Sequence, residues 1–327
     1  MKQPLNHLKH LFISCLLLSS TIQTVQGQEF YRPLDTLDMS FFISGIAANI
    51  LPKDRVEILT YSSINSYWLA IHQSPLESPV RDRLRVTQFT TNVEGYFGFS
   101  NSQRWDLGLR LQYARYRLDN EARSSPFRVF ENLENPPLEN GLDQNYHGLT
   151  GVGLRARVLP IASVPSLTIN AGYTVASVKS EEKQQRLNAQ RDILDLGIAY
   201  FIDLNPNNYY YFLANTSAYL PSETLNQSLY SSSVSFFMVH LAFGQKLVLY
   251  PGLSYHLTYK PPTYGNGFLV KTNEQLLAFG GIQYQPSSNF NISLSLAYPL
   301  VWKDNNLLVE QVGNSYSYAS LGLRVLL

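Results

Sequence analysis

Apolar and polar side chains alternate one by one along most of the chain beyond residue 53. The segment RWDLGLRLQYAR, residues 104–115, has Trp, Leu or Tyr at the odd positions from 105 to 113 and Asp, Gly, Arg, Gln or Ala at the even positions from 106 to 114. A period of two is typical of a β-strand, because successive side chains of a strand point to opposite faces. NISLSLAYPL, ILDLGIAYFIDL and SLTINAGYTV repeat the pattern. The sequence therefore predicts an all-β protein.

The alternating segments predict about twelve strands, with fourteen as the alternative. The strands cover residues 54–70, 84–100, 104–118, 146–160, 166–177, 191–204, 207–221, 232–244, 246–260, 273–285, 289–301 and 316–327. Six long connections between them alternate with five short ones. Transmembrane β-barrels have short turns on one side, longer loops on the other and, in bacteria, an even number of strands. Residues 54–327 are therefore predicted to form a transmembrane antiparallel β-barrel with both chain ends on the short-turn side.

A soluble β-sandwich, a lipocalin-like barrel or an adhesin domain would also contain alternating strands. The predicted strands are longer than the roughly 5–6 residues usual in soluble sheets. Aromatic residues also gather at both ends of the apolar faces, where barrels of the outer membrane carry aromatic girdles. The short-turn group is Phe97, Phe99, Trp105, Tyr200, Phe243, Tyr284 and Phe290, and the long-loop group is Tyr113, Tyr146, Tyr173, Tyr255, Tyr259 and Tyr298. These features favour the membrane barrel.

The N-terminal region has the organisation of a cleaved secretory signal. Basic residues precede the apolar run LFISCLLLSS, and small residues precede a cleavage site after Gly27. The run is shorter than the roughly 20 residues that a membrane-spanning helix needs, so residues 1–27 are predicted to be a signal peptide. Cys15, the only cysteine, lies within it. Residues 28–53 could then form an arm, a plug in the barrel mouth or a further strand.

Composition narrows the classes of partner. The chain has 25 basic and 24 acidic residues, with no basic block, so nucleic acid is not an expected partner. Charged residues make up 15%, against roughly 25% in typical soluble domains. No cluster with the spacing of a metal site and no phosphate-binding loop is present, so neither metal nor cofactor is expected. A charge-poor chain with 22 tyrosines and a signal peptide is expected to contact a lipid bilayer.

The polar face of the strands would line the barrel interior. Our candidate lumen-lining residues on this face are Asn92, Glu94, Asp106, Arg110, Gln112, Arg155, Arg157, Asp195, His256 and Arg324. A tight turn at Ser102 makes residues whose numbers sum to 204 face each other, which sets Glu94 opposite Arg110. Opposite charges across a sheet attract. Such a face could filter solutes in a water-filled lumen, or form an ion-paired network that fills a narrow barrel.

An enzymatic reading finds little support in the residues. His240 and His256 fall on predicted lumen faces without a serine motif beside either, so no catalytic residue is assigned. The long loop 119–145 carries six acidic residues against two arginines. It is interpreted as a hydrophilic connection, with a ligand-gating lid as the alternative.

The segments NILPKDRVEILTYSSINSYW and RVTQFTTNVEGYFGFSNSQRW carry a family resemblance. They resemble outer-membrane barrels of Bacteroidetes related to the phenol-degradation-pathway (MetA-like) proteins, which are themselves similar to fatty-acid-type transporters. The likeness covers about the first half of the mature chain. It implies an outer-membrane barrel that takes up small solutes, apolar ones included, and no catalytic residue. The fatty-acid transporters have fourteen strands and an N-terminal hatch, whereas twelve strands and an arm are predicted here.

The sequence thus predicts a multi-pass barrel of the Gram-negative outer membrane with periplasmic N- and C-termini. Its expected function is a porin-like channel or transporter for a small solute, and its expected partners are the lipid bilayer and that solute. The alternative is a non-conducting structural barrel, or an accessory barrel of secretion or gliding with assembly-machinery partners.

Overall fold

The structure is a computed structural model that describes residues 50–71, 81–99, 101–119, 125–131, 144–179, 183–184, 187, 189, 191–205, 207–222, 228–243, 246–261, 269–304, 309–311 and 317–327. The predicted signal peptide and residues 28–49 of the predicted arm lie outside these ranges. None of the helical segments in the described ranges is long and apolar enough to cross a membrane. The strands are β1 Val56–Ile71, β2 Arg81–Gly98, β3 Trp105–Asp119, β4 Gln144–Val158, β5 Leu167–Ala176, β6 Ile193–Asn205, β7 Asn208–Tyr219, β8 Leu229–Ala242, β9 Leu247–Leu249, β10 Gly252–Lys260, β11 Val270–Ser287, β12 Phe290–Asp304, β13 Val309–Gln311 and β14 Ser317–Leu326.

The strands form one closed antiparallel barrel. Each of β1 to β7 pairs with the strand that follows it, and β14 returns to pair with β1 from Glu57↔Leu326 to Ser66↔Ser317. The short β9 and β10 both lie between β8 and β11, so they form one wall position interrupted at Tyr250 and Pro251. β13 and β14 likewise share the same edge of β1. The wall therefore has twelve positions, as the sequence predicts.

The connections at the two ends of the barrel differ in length. Residues 99–104, 159–166, 206–207, 243–246 and 288–289 join strands at one end, which we call the short-turn end. The connections at the other, long-loop end span residues 72–80, 120–143, 177–192, 220–228, 261–269 and 305–316. Val56 and Leu327 are hydrogen-bonded to each other through both backbone N–H groups, at 3.2 and 2.8 Å. The first and last strands thus begin and end at the short-turn end.

The apolar face of the strands points outward. Leu107, Leu109 and Leu111 of β3 are 47, 61 and 46% exposed, whereas Asp106 and Arg110 between them are 0 and 7% exposed. Water-soluble monomers rarely leave so continuous an apolar surface uncovered. Exposed apolar residues recur on the other strands, including Val152, Leu154, Leu194, Leu196, Phe236, Ile282, Leu294, Leu296 and Leu321. This lipid-facing belt confirms the transmembrane β-barrel fold.

Most residues of the predicted aromatic girdles are exposed, four are half-buried and one is buried. Phe97, Trp105, Phe243 and Tyr284 are exposed at the short-turn end. Tyr146, which was predicted to face lipid, is instead 6% exposed and packs inside the barrel. The register of β4 against β3 skips Thr150, so a bulge interrupts the alternation there. Because one extra residue moves the following side chains to the other face, the prediction for Tyr146 is wrong.

An apolar cluster fills part of the interior near the short-turn end. It comprises Ala199, Phe201, Tyr211, Leu213, Phe237, Val239, Leu241, Val248 and Tyr250 from β6 to β10. Gly281 of β11 makes room for Tyr250, because a Cβ at this position would lie 2.2 Å from Tyr250 Cζ. Gly280, which faces the opposite side, has nothing within 4 Å of such a Cβ.

These two neighbouring glycines give a matched pair of substitutions. We expect Gly281→Ala to lower the free energy of unfolding by about 1–3 kcal/mol, since the added methyl displaces the Tyr250 ring in a packed interior. Gly280→Ala should change it by less than about 0.5 kcal/mol. Urea titration followed by heat-modifiable migration on a gel measures both. Equal effects of the two substitutions would contradict the inward packing of Tyr250.

Candidate functional site

Two layers of ion pairs cross the barrel interior. The lower layer, nearer the short-turn end, consists of Glu57, Asp106, Arg157 and Arg324. Arg157 Nε and Nη2 donate to the two oxygens of Asp106 at 2.8 and 2.6 Å, and its Nη1 donates to Glu57 Oε2 at 2.7 Å. Arg324 Nε donates to the other Glu57 oxygen at 2.6 Å. Arg157 and Asp106 are 0% exposed. Since β4 is three wall positions from β1, Arg157 must reach Glu57 across the interior.

An aromatic ring supports the lower layer. The Arg157 guanidinium lies over the Tyr96 ring, 3.7 Å from its centroid, an arrangement that stabilises the cation through the π electrons. Gly108 faces Tyr96 in the register of β2 and β3. A Cβ on Gly108 would lie 2.7 Å from Tyr96 Cδ1. The glycine therefore leaves the space in which the Tyr96 ring lies.

The upper layer lies next to it toward the long-loop end and consists of Glu94, Arg110, Arg155 and Asp195. The hairpin register pairs Glu94 with Arg110, which confirms the predicted pairing. Arg110 Nε donates to Glu94 Oε1 at 2.5 Å, and its Nη1 donates to Asp195 Oδ2 at 3.0 Å. Arg155 Nη1 donates to the same Asp195 oxygen at 2.9 Å. Tyr61, Tyr96 and Ser217 supply hydroxyl contacts to these carboxylates.

A second glycine lets the upper layer form. Gly172 of β5 lies between Arg155 of β4 and Asp195 of β6 in the sheet register. A Cβ on Gly172 would lie 2.3 Å from Arg155 Nη1. Arg155 therefore passes over the bare backbone of β5 to reach Asp195.

Each layer is electrically balanced. The four carboxylates of the two layers face four guanidinium groups in direct ion pairs. Removing charges from water is costly, and attraction in a low-dielectric interior offsets this cost only where the groups are paired and hydrogen-bonded. The bidentate contact between Arg157 and Asp106 meets this requirement. The layers therefore form an ion-paired network that is costly to break.

Two cavities lie on the long-loop side of the lower layer. The larger, of about 270 Å³, is lined by inward-facing residues that include Gln88, Thr90 and Thr174. The smaller, of about 260 Å³, is bounded by Arg110, Arg155 and Asp195 of the upper layer. Both cavities are lined by Asn92 and Gln112, so they adjoin. Together they form what we call the chamber.

Part of a long loop folds inward over the chamber. Leu187 and Ala189, between β5 and β6, are 7 and 4% exposed and pack against Ala114 and Tyr146. Both also line the larger cavity. The loop thus narrows the interior near the long-loop end.

The N-terminal segment enters the barrel at the short-turn end. Leu51 is 3% exposed and packs against Leu59 and Tyr96, and its N–H donates to Asp106 Oδ2 at 3.0 Å. A Cβ on Gly98 would lie 2.1 Å from the Pro52 carbonyl oxygen, so the segment passes close to β2. Leu51 therefore lies inside the barrel mouth.

The two histidines have different surroundings. His256 Nε2 lies 2.7 Å from Ser254 Oγ, which is also 2.7 Å from Ser235 Oγ. The sequence interpretation looked for a serine motif and did not consider Ser254, which shares a face with His256 because residues two apart on a strand point the same way. His240 Nδ1 lies 2.8 Å from Asn208 Oδ1. No carboxylate is hydrogen-bonded to His256 in the described part of the chain, so the third group of a catalytic triad is not in place there.

The structure brings most of the candidate lumen-lining residues into the two layers. Asn92 and Gln112 line the chamber instead, and His256 lies on the inward face of β10. The role of the candidate lumen-lining residues in solute passage stays a prediction. Sequence reasoning missed Glu57, Tyr61 and Tyr96 because aromatic residues were assigned to the lipid face and the first strand changes phase. It also missed Arg191, which lines the larger cavity from just before β6.

The loop 119–145 is described only in part. Residues 126–130 form a 3₁₀ turn on the outer face of β2 and β3, where Phe130 contacts the Phe89 ring at 4.7 Å. Arg117 Nη1 donates to the Arg128 carbonyl at 3.0 Å. Residues 120–124 and 132–143 lie outside the described ranges, and the interpretation of the loop as a hydrophilic connection stays a prediction.

Known proteins resemble this chain in fold. An outer-membrane channel from Pseudomonas putida F1 superposes with a TM-score of 0.59 at 11% identity, covering 87% of this chain and all of the channel. The β-domain of the Bordetella autotransporter BrkA gives a TM-score of 0.47 at 11% identity, over 82% of this chain and 98% of that one. The P. putida toluene transporter TodX gives 0.43 at 10% identity, over 84% and 90%.

No protein-family profile matches the chain, and no curated protein sequence matches it either. The resemblance to Bacteroidetes barrels therefore stays a prediction. The likeness to the Pseudomonas putida F1 channel is shape-based at 11% identity and bears on fold alone. The chain has the twelve-stranded antiparallel barrel fold that occurs in outer-membrane channels.

Proposed function

We propose that the chain is a channel for a small solute in the outer membrane of a Gram-negative cell, with both termini in the periplasm. The lipid-facing belt supports the membrane location. The short-turn end, where the first and last strands meet, corresponds to the periplasmic side of barrels of this kind. The partners in this proposal are the lipid bilayer and the solute, and the role is passage without catalysis.

The chamber is the observation that carries the proposal. A barrel with a purely structural role could fill its interior with packed side chains, as the apolar cluster does between β6 and β10. Beside that cluster, two adjoining cavities of about 270 and 260 Å³ remain, lined by both polar and apolar side chains. Pockets of roughly 300 Å³ and more commonly hold small molecules. The combined chamber reaches this size.

Passage would require the short-turn end to open. The ion pairs of the lower layer span the interior there, and the Leu51 N–H donates to Asp106 of this layer. In this proposal residues 28–53 act as a plug, which is one of the sequence interpretations of this segment. In this proposal, displacement of the segment frees Asp106 from the Leu51 N–H and gives the solute a way through.

Planar-bilayer conductance tests the proposal. The full chain and a variant lacking residues 29–50 are compared, with a third variant in which a Gly/Ser sequence of equal length replaces those residues. We expect low conductance from the full chain and higher conductance from both altered proteins, because the plug is lost in each.

The outcomes separate the two parts of the proposal. Absence of conductance in all three proteins, each confirmed as folded by heat-modifiable migration, would overturn the channel and favour the structural or secretion-accessory alternative. Equal conductance in all three would retain the channel and overturn the plug.

A further inference from the structure

Arg191 is a cationic side chain on the chamber wall without a protein acceptor for two of its donors. It lies two residues before β6 and lines the larger cavity together with Gln112 and Tyr219. Its Nε and Nη1 atoms are enclosed, and neither has a hydrogen-bond partner in the described residues. Buried polar groups in proteins are nearly always hydrogen-bonded, and a charged donor without a partner is costly. Arg191 is therefore a lining residue of the larger cavity with two donors that the described protein residues leave unsatisfied.

The nearby carboxylates are already engaged. The four acidic residues of the two layers are matched by four arginines. Asp192, next in sequence, accepts from the Tyr173 hydroxyl at 2.6 Å and from the Ala176 N–H at 2.9 Å. Asp195 is four residues from Arg191, which corresponds to roughly 13 Å along a strand. Among the described residues, no carboxylate is hydrogen-bonded to Nε or Nη1 of Arg191.

A second arginine, Arg115, also lines the larger cavity, but its Nε donates to the Tyr113 hydroxyl at 2.9 Å and its Nη1 to the Val129 carbonyl at 3.3 Å. The rest of the lining is apolar or neutral and polar. Leu187, Ala189 and Ile193 form an apolar wall on the same stretch of chain as Arg191. Gln88, Thr90, Asn92 and Gln112 supply amide and hydroxyl groups, and Thr174 Oγ1 is buried without a partner in the described residues. A ligand that satisfies this surface has one anionic group and a compact apolar body.

We infer that the chamber binds a small carboxylate with an apolar body, and that Arg191 holds the carboxylate. The planar guanidinium presents its N–H groups as a fork that matches the two oxygens of a carboxylate. The apolar body lies against Leu187, Ala189 and Ile193. A cavity of about 270 Å³ limits the ligand to about the size of one ring with its carboxylate. This inference rests on the proposed function and names its solute class.

Calorimetric titration of the full chain in detergent micelles tests the inference with benzoate, benzamide and inorganic phosphate. Benzamide has the shape of benzoate without its charge. We expect benzoate to bind at least about ten-fold more tightly than benzamide or phosphate, since a hydrogen bond to a charged group adds this much. Arg191→Gln should weaken benzoate about ten-fold or more and leave benzamide unchanged.

Two further variants control the comparison. Lys183→Gln removes a positive charge from the same loop at an exposed position outside the cavity lining, and it should bind benzoate like the unaltered chain. Arg191→Lys keeps the charge but loses the fork, so its affinity should fall between those of the unaltered chain and Arg191→Gln. If Arg191→Gln fails to give a heat-modifiable barrel, the Lys variant decides: undiminished benzoate affinity would overturn the inference.

Equal affinity for benzoate and benzamide in the unaltered chain would also overturn it, as would tighter binding of phosphate than of benzoate. These results are separable from a failure of the channel. Flux of benzamide through liposomes that hold the variant lacking residues 29–50 tests passage without any charge on the solute. Absence of benzamide flux would overturn the channel. Benzamide flux combined with equal affinity for benzoate and benzamide would overturn only the carboxylate site.

Discussion

Arg157→Ala is expected to lower the free energy of unfolding by about 3–5 kcal/mol, the cost of leaving a buried ion-pair partner uncompensated. Arg157 is the centre of the lower layer and contacts both Asp106 and Glu57. Its removal leaves two carboxylates at 0 and 1% exposure, one of which retains only Arg324 as a counter-charge. Urea titration of the full chain in lipid, followed by heat-modifiable migration, measures the change.

Two controls show whether the loss arises from charge. Arg104→Ala removes an arginine from an exposed turn, where it donates to the Pro160 carbonyl at 2.9 Å, and should cost less than about 0.5 kcal/mol. Asp106→Asn combined with Arg157→Ala should be less destabilising than the sum of the two single substitutions, because the pair is coupled. Additive effects, or a loss below that of Arg104→Ala, would contradict the buried network.

Substitutions in the upper layer are expected to change the ion selectivity of the conducting barrel in opposite directions. In the variant lacking residues 29–50, Arg110→Gln with Arg155→Gln leaves Glu94 and Asp195 unpaired beside the smaller cavity. A narrow passage lined by charges of one sign concentrates the opposite ion. The cation-to-anion permeability ratio should therefore rise several-fold.

Glu94→Gln with Asp195→Asn leaves the two arginines instead, and the permeability ratio should fall several-fold. Reversal potentials across a potassium chloride gradient measure both ratios. Arg104→Gln in the same truncated chain serves as the control, because it removes a charge far from the layer. Unchanged selectivity in both double variants would mean that ions do not pass the upper layer.

The sequence predicts the wall of this barrel well because a single rule governs it. Because lipid lies outside the wall and polar groups lie inside, every strand has a period of two. The number of strands, the lengths of the connections and the outward-facing residues of β3 follow from this period. The pairing of Glu94 with Arg110 is also predictable, because a tight hairpin turn sets the register of its two strands.

Contacts across the interior do not follow from the same rule. Alternation places Arg157 on the inward face, but it does not predict the contact of Arg157 with Glu57. Glu57 is 100 residues away in the sequence and three wall positions away in the barrel. The bulge at Thr150 and the break at Pro251 interrupt strands locally, the second where proline lacks an N–H to pair. Leu187 and Ala189 lie in a loop without periodicity, so their position inside the barrel, and with it the chamber beside Arg191, had no signal in the sequence.

The central claim of this account is that lipid lies outside the wall and a solvent-filled chamber lies inside it, and cysteine labelling tests this most directly. Because Cys15 of the predicted signal peptide is the only cysteine, a single cysteine can be placed at will. Leu109 is 61% exposed on the outer face, and Gln112, three residues further along β3, lines both cavities. In liposomes, a charged water-soluble thiol reagent should label Gln112→Cys and spare Leu109→Cys. Labelling of Leu109→Cys with Gln112→Cys protected would contradict the account.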